Sequence, residues 1–160
     1  MKRALCLVGL VILTAVTAGS LSAQDNPFVG TWKLNVAKSK FGSAPAPKSI
    51  TRTVVAQGDG AKYTFERVNA DGTSSVYSFT AHYDGKDYPV TGTGMPGGAD
   101  SIAGTRINSH RVESVLKKNG KQVGTSVSEV SADGKTTTIK AKGKNPDGSA
   151  YETESVYDKQ

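Results

Sequence analysis

Cysteine is almost absent from this sequence, with a single residue, Cys6, in an apolar segment near the N terminus. The rest of the chain therefore cannot form an internal disulfide bond or a cysteine-based metal site, and it has no thiol nucleophile. Histidine occurs only at His82 and His110, and neither has an evident partner for acid–base catalysis or metal binding. The sequence predicts no metal site and no cofactor.

Catalytic motifs are missing as well. The nucleophile motif Gly-x-Ser-x-Gly does not occur, and the glycine-rich run at 91–98 lacks the strand-to-helix context of a phosphate-binding loop. Glu152 and Glu154 share one face of a predicted strand, which is typical of a solvated outer surface. We therefore expect no enzymatic activity and assign no catalytic residue.

Long runs of one charge sign are also absent. The net charge is +6, but the lysines are scattered, and no aromatic-flanked basic motif accompanies them. Because nucleic-acid sites concentrate basic residues on one face, the sequence predicts no nucleic-acid partner.

The N terminus has the pattern of a secretory signal peptide. Lys2 and Arg3 precede an apolar run over 4–18, which is followed by small and polar residues up to Gln24. A run of roughly 15 residues is shorter than the ~20 that span a bilayer, so we expect no membrane span after cleavage. The prediction is a signal peptide at 1–23, cleaved after Ala23 or alternatively after Ala18 or Ser22, and export to the periplasm or the extracellular space.

The remaining residues, 24–160, are sufficient for one domain with its own core. From Ile50 onward, short β-prone runs alternate with Asp-Gly or Asn-Gly pairs, which are strong hairpin signals. The predicted strands are the segment that begins at Phe28, followed by 49–57, 61–69, 73–83, 86–91, 101–107, 110–118, 121–131, 135–143 and 149–158. Tight connections join antiparallel neighbours, so we expect an all-β, up-and-down barrel of about 8–10 strands.

The connections after the first strand have two distinct compositions. At most one helical turn fits at 37–40, and the proline-containing segment 42–47 predicts an extended crossing or lid. The glycine-rich run at 91–98 predicts a loop at the rim of the barrel.

The first strand carries Trp32, the only tryptophan, which we expect to plug one end of the core. The segment Gly-Thr-Trp-Lys-Leu at 30–34 and the closing Ser-Val-Tyr-Asp-Lys at 155–159 resemble the two ends of the calycin pattern, which includes lipocalins and fatty-acid-binding proteins. With Tyr-Asp-Gly-Lys-Asp-Tyr-Pro-Val-Thr-Gly at 83–92, the chain resembles small exported bacterial lipocalin-like proteins. The resemblance implies a barrel whose last strand pairs with its first.

The same resemblance has a limit at the ligand site. In fatty-acid-binding proteins the ligand carboxylate meets arginine and tyrosine near the end of the chain. Here the last two predicted strands contain no arginine, and only Tyr157 matches, so fatty-acid binding does not transfer directly.

Strand alternation predicts which residues face inward. Aromatic residues occupy this face in the early strands, while the later strands present Val123, Val127 and small or polar residues. This composition fits an open cavity or a flattened, filled barrel; the small number of aromatic residues favours the cavity.

Arginine binds anions in a bidentate geometry, and both Arg52 and Arg67 share a strand face with apolar residues. Alternatively, a register shift near the strand ends would turn both arginines outward. The predicted ligand-binding residues are Arg52, Tyr63, Phe65, Arg67, Tyr77, Phe79, Tyr88 and Tyr157.

Two functions follow from these patterns. The first is the binding of a small hydrophobic or anionic amphipathic ligand inside the barrel. The alternative is a structural or interaction protein of the cell envelope with a filled barrel.

Overall fold

The computed structural model describes residues 26–160, so the predicted signal peptide at 1–23 lies outside the described residues. This part of the chain is built from antiparallel strands, without an α-helix among them. The strands are β1 Gly30–Leu34, β2 Ser49–Gln57, β3 Gly60–Val68, β4 Ser74–Ala81, β5 Asp84–Pro89, β6 Thr91–Gly92, β7 Ser101–Asn108, β8 Arg111–Lys118, β9 Lys121–Val130, β10 Thr136–Lys144 and β11 Ala150–Lys159.

All eleven strands belong to one sheet in the order β5-β7-β8-β9-β10-β11-β1-β2-β3-β4-β6. The sheet curls into a nearly closed barrel. β1 lies between β11 and β2, with Trp32 opposite Lys159 on one side and Arg52 on the other. The predicted pairing of the first and last strands is therefore confirmed.

The predicted count of about 8–10 strands and the unbroken series of hairpins are both wrong. The extra strand is the two-residue β6, and β4 does not pair with β5: β5 pairs with β7, and β6 pairs with β4. Asp84 and Gly85 form no hairpin turn, because they lie in β5, where the register shifts between Asp84 and Asp87. A glycine with positive φ, such as Gly85 at 75°, can also occupy a β-bulge. We call the place where β4 and β5 lie side by side in sequence without pairing the seam.

Three other Asp-Gly pairs make the predicted turns with one shared pattern. The turns at 69–73, 131–136 and 145–149 each start with Asn or Ser and contain Asp-Gly. In each, the Asp side chain accepts a backbone N–H from two residues later: Thr73 to Asp71 at 2.9 Å, Lys135 to Asp133 at 3.1 Å and Ser149 to Asp147 at 2.9 Å. The following glycine has a positive φ of 91°, 69° or 86°, a conformation that glycine adopts without steric cost.

The connections around the barrel opening match the sequence in outline. A short 3₁₀ helix, Val36–Lys38, replaces the predicted turn at 37–40. Residues 42–47 contain no regular element, as their prolines predict. A second 3₁₀ helix, Pro96–Gly98, interrupts the glycine-rich run. Of the residues described, no helix combines the length and apolar character needed to cross a membrane.

The hydrophobic core includes Phe28 and Trp32 together with residues of the cavity wall. Phe28 and Trp32 are completely buried, and the indole Nε1 of Trp32 donates a hydrogen bond of 2.9 Å to the carbonyl oxygen of Phe28. Because the indole N–H is hydrogen-bonded, this large ring is buried without loss of a hydrogen bond. Trp32 thus contacts the residue that precedes β1 by two positions, and its predicted role as a plug stays a prediction.

Candidate ligand-binding cavity

The barrel encloses a cavity of about 280 Å³. This volume is close to the lower limit of the roughly 300–1,000 Å³ that is typical of small-molecule sites. Two segments outside the long strands border it: Phe41 to Pro45, and Gly94 to Pro96. The proline-containing segment and the glycine-rich loop therefore both lie at the cavity, as the sequence indicated.

One wall of the cavity, called the aromatic wall, is formed by β3 and β4. Phe65 is opposite Tyr77, and Tyr63 is opposite Phe79. These cross-strand pairs are stacked, with ring centroids 4.7 Å and 5.0 Å apart and an interplanar angle of 12° in each. Stacked cross-strand rings stabilise the strand pair and present a rigid apolar surface. All four residues were predicted from alternation, and all four line the cavity.

The facing wall, formed by β8 to β11 and called the hydroxyl wall, carries small polar side chains. The register places Ser114, Ser126, Ala141 and Thr153 in one row across the strands. The next row contains Ser128, Ile139 and Ser155. The cavity-lining serine and threonine residues of this wall are Ser114, Ser126, Ser128, Thr153 and Ser155.

The prediction that Val123 and Val127 face inward is wrong, because Ser126 and Ser128 line the cavity on this strand. Val123 is covered by the 3₁₀ helix at Gly97, where an added Cβ would lie 3.0 Å from its Cγ2. β-Branched residues favour strands on either face, so their presence alone does not identify the inner one.

Arg52 is the most unusual residue of the site. It is only 1% exposed, yet its Nε and Nη1 atoms have no hydrogen-bond partner in the part of the chain that the structure describes. Its guanidinium carbon lies 5.1 Å from the ring centre of Tyr63 and 5.9 Å from those of Trp32 and Phe65. Aromatic faces attract a cation but offer no lone pairs to its N–H groups.

Arg67 also lines the cavity, opposite Ile50 on β2 and Ser75 on β4. Its Nε is buried without a hydrogen-bond partner, as is the hydroxyl of Ser75. Because Arg52 is opposite Phe65, Arg52 and Arg67 are diagonal neighbours on the sheet, at a spacing of roughly 7–8 Å. Both predicted arginines therefore face inward, and the alternative of an outward register is wrong.

The tyrosines near these arginines are neutral hydroxyl groups. Burial raises the pKa of Tyr63, Tyr77 and Tyr157 above the ordinary range, while the charge of Arg52 opposes each rise. Arg67 acts in the same direction on Tyr77 and Tyr157. The cavity lining contains two arginines and neither Asp nor Glu, so its electrostatic character is positive.

Several contributors were not named as ligand residues from the sequence. Tyr83 lines the cavity and its hydroxyl lies 2.6 Å from that of Tyr63, while the guanidinium of Arg106 lies 4.1 Å from the centre of the Tyr83 ring. Tyr151 also lines the cavity, and its buried hydroxyl has no partner in the described chain. Alternation on β11 places Tyr151 on the inner face, and Tyr83 continues the alternation of the predicted strand 73–83, although it lies in the bend between β4 and β5.

Tyr88, a predicted ligand residue, is not part of the cavity lining. Its hydroxyl donates a hydrogen bond of 3.0 Å to Oδ2 of Asp84, and its ring centre lies 4.7 Å from that of His82. This contact spans the seam between the end of β4 and β5. The prediction for Tyr88 assumed a β4–β5 hairpin, which does not form.

The two histidines are at separate surface positions. Nδ1 of His82 lies 2.6 Å from Oδ1 of Asp59, and Nδ1 of His110 lies 2.9 Å from the hydroxyl of Ser109. Within residues 26–160, no group of three or more His, Cys, Asp or Glu side chains has the arrangement of a metal site.

Comparison with known proteins does not assign this chain to a family. The chain matches no protein-family model, and no curated protein shows significant sequence similarity to it.

Proposed function

We propose that this protein is an exported, calycin-type binding protein, without enzymatic activity, that holds a small amphipathic anion inside its barrel. The observation that carries the proposal is the buried guanidinium of Arg52, whose Nε and Nη1 have no acceptor in the described chain. The signal-peptide pattern at the N terminus supports export, and the pairing of β1 with β11 supports the calycin type.

The energetic argument starts from the cost of burying a charge. A buried ion without a hydrogen-bonded partner is strongly unfavourable, and cation–π contacts offset only part of that cost. A bound carboxylate, sulfate or phosphate would supply two oxygen acceptors in the planar geometry that guanidinium prefers. Because the lining contains no acidic residue, a bound anion would supply the charged acceptor that the cavity side chains do not offer.

The remaining surface of the cavity explains the amphipathic character. The aromatic wall of Tyr63, Phe65, Tyr77 and Phe79 would contact an apolar ligand body. Sites of this kind combine a mainly apolar lining with a few polar groups that fix orientation. Arg52 and Arg67 are those groups for the anionic end.

The test compares two probes that differ only in the anionic group, decanoate and decanol. Binding is followed by the fluorescence of Trp32, the single tryptophan of the chain, which lies beside Arg52. One hydrogen-bonded charge contributes roughly 1.5–3 kcal/mol, so we expect decanoate to bind about 10- to 100-fold more tightly than decanol.

The variant Arg52→Met should remove this discrimination, while the control Arg111→Met should retain it. Arg111 does not line the cavity and forms ion pairs with Glu113 and Glu129. Equal affinities of the wild-type protein for decanoate and decanol would contradict an anion site. If neither probe binds, and a lipid extract leaves only the bare protein mass in native mass spectrometry, the alternative of an envelope interaction protein is favoured.

A further inference from the structure

The two walls of the cavity differ in chemistry, and this difference restricts the ligand further than its charge does. The aromatic wall and both arginines lie on β2 to β4, whereas the hydroxyl wall lies across β8 to β11. An anion bound to Arg52 therefore directs the other end of the ligand toward a different kind of surface.

The register fixes the spacing of the hydroxyl wall. Ser126 and Ser128 are two residues apart on β9, as Thr153 and Ser155 are on β11, which corresponds to roughly 7 Å along each strand. β10 lies between them and contributes the apolar side chains Ala141 and Ile139. Two strand spacings separate β9 from β11, roughly 10 Å. The wall is thus a grid of hydroxyls around an apolar strip.

Each of these hydroxyls can both donate and accept a hydrogen bond. A simple alkyl chain would fill the cavity without offering them a partner, and burying unpaired hydroxyl groups is unfavourable. A ligand hydroxyl on the side opposite the acid would pair with one or two of them, which an alkyl chain cannot do. The small cavity, about 280 Å³, also favours a compact ligand body over a long flexible one.

The aromatic wall specifies the nature of that body. Its four rings are held in fixed stacked pairs, and aromatic rings bind other rings through edge-to-face or offset contacts in addition to apolar burial. A flat ring system loses little conformational entropy on binding, unlike an alkyl chain.

We infer that the natural ligand is a hydroxylated aromatic acid, with its acid group at Arg52 and Arg67, its ring against the aromatic wall, and its hydroxyl on the grid of Ser126, Ser128, Thr153 and Ser155. This inference rests on the proposed function and specifies the ligand class of the same site.

The experiment uses 2-naphthoate and 6-hydroxy-2-naphthoate, which share the carboxylate and ring system and differ in one distal hydroxyl. Isothermal titration calorimetry with the purified protein should show about fivefold tighter binding of the hydroxylated probe, the ratio that one net hydrogen bond provides. In the double variant Ser126→Ala/Ser128→Ala, the two affinities should become equal, with the affinity for 2-naphthoate unchanged.

Thr125→Ala is the matched control, because Thr125 immediately precedes Ser126 on β9 but does not line the cavity. It should keep the fivefold preference. Should the double variant fail to fold, Thr153→Val removes a hydroxyl of the same grid at nearly constant shape and provides the same comparison.

The possible failures are distinct. If decanoate binds while neither naphthoate does, or if the hydroxylated probe binds no more tightly than 2-naphthoate, the ligand class is wrong and the anion site stands. A preference that survives in all grid variants would also overturn the role of the grid. If decanoate and both naphthoates fail to bind, the proposed function itself is wrong.

Discussion

At the scale of single residues, Arg52 connects stability and function. Its side chain is enclosed by aromatic rings, and the described chain offers no acceptor to Nε or Nη1. Natural proteins keep such unfavourable arrangements where function requires them, at the expense of stability. The ligand-free protein is therefore less stable than an apolar replacement at the same site would make it.

We predict that Arg52→Met stabilises the ligand-free protein. Methionine fills similar space without a charge, and replacing a buried ionic group by an apolar one can stabilise by roughly 1–4 kcal/mol. Loss of the cation–π contacts reduces this gain, so we expect about 1 kcal/mol in urea unfolding. Arg111→Met serves as the control and should not increase stability. A clear destabilisation by Arg52→Met would show that the guanidinium has a structural role instead.

At the scale of strands and turns, the Asp side chains of the three shared turns hold the turns by hydrogen bonds and also make stability depend on pH. Hydrogen bonds from the hydroxyl and then the backbone N–H of nearby residues lower the pKa of Asp71, Asp133 and Asp147 below the ordinary value of 3.8. A carboxylate whose pKa is lower in the folded state stabilises the fold only while it is ionised. The carboxylate's contribution to the free energy of unfolding is complete at pH values above its pKa in the unfolded chain. It is lost as the pH falls through its lower pKa in the folded protein.

We therefore predict a loss of stability as the pH falls below 3.8, which the triple variant Asp71→Asn/Asp133→Asn/Asp147→Asn should reduce. Asparagine can still accept the turn hydrogen bonds, but it does not titrate in this range. The measurement is urea unfolding between pH 2 and pH 7. Glu66→Gln, on β3 and outside these turns, is the control. An unchanged pH profile in the triple variant would exclude the turns as its cause.

Two sequence patterns, Asp-Gly pairs and strand alternation, predicted the turns and the inward-facing residues with different success. Asp-Gly pairs identified most hairpins because the carboxylate and the glycine together favour a tight turn. The same pair at Asp84 and Gly85 produced a bulge, since tertiary pairing of β5 with β7 decides its context. Alternation identified Tyr63, Phe65, Arg52 and Arg67 correctly. It failed for Tyr88, because inner and outer faces are transferred between strands only when those strands pair.

At the scale of the whole molecule, the barrel is closed everywhere except at the seam. β5 and β6 form the two ends of the sheet order, and each pairs with a single strand. Contacts across the seam come from side chains such as Tyr88 with His82, and not from a backbone ladder. Edges of this kind open more readily than strands with two partners.

We predict that the amide hydrogens of β5 and β6 exchange at least roughly tenfold faster than those of β9 and β10, which have strand neighbours on both sides. Hydrogen exchange followed by NMR measures this difference residue by residue, and β8 provides an internal control with two neighbours. Equal protection in β5 and β10 would mean that the seam is closed in solution.

The pairing of Trp32 with Lys159 has a consequence for the order of events during synthesis. β1 is made early, but it obtains its second neighbour only when β11 is available, near the end of the sequence. Until then Phe28 and Trp32, which are completely buried in the finished barrel, lack part of their surroundings. Contacts between such distant segments form slowly because loop closure is entropically unfavourable. A growing chain would therefore stay incompletely folded until β11 has been synthesised. An incompletely folded chain suits the proposed export.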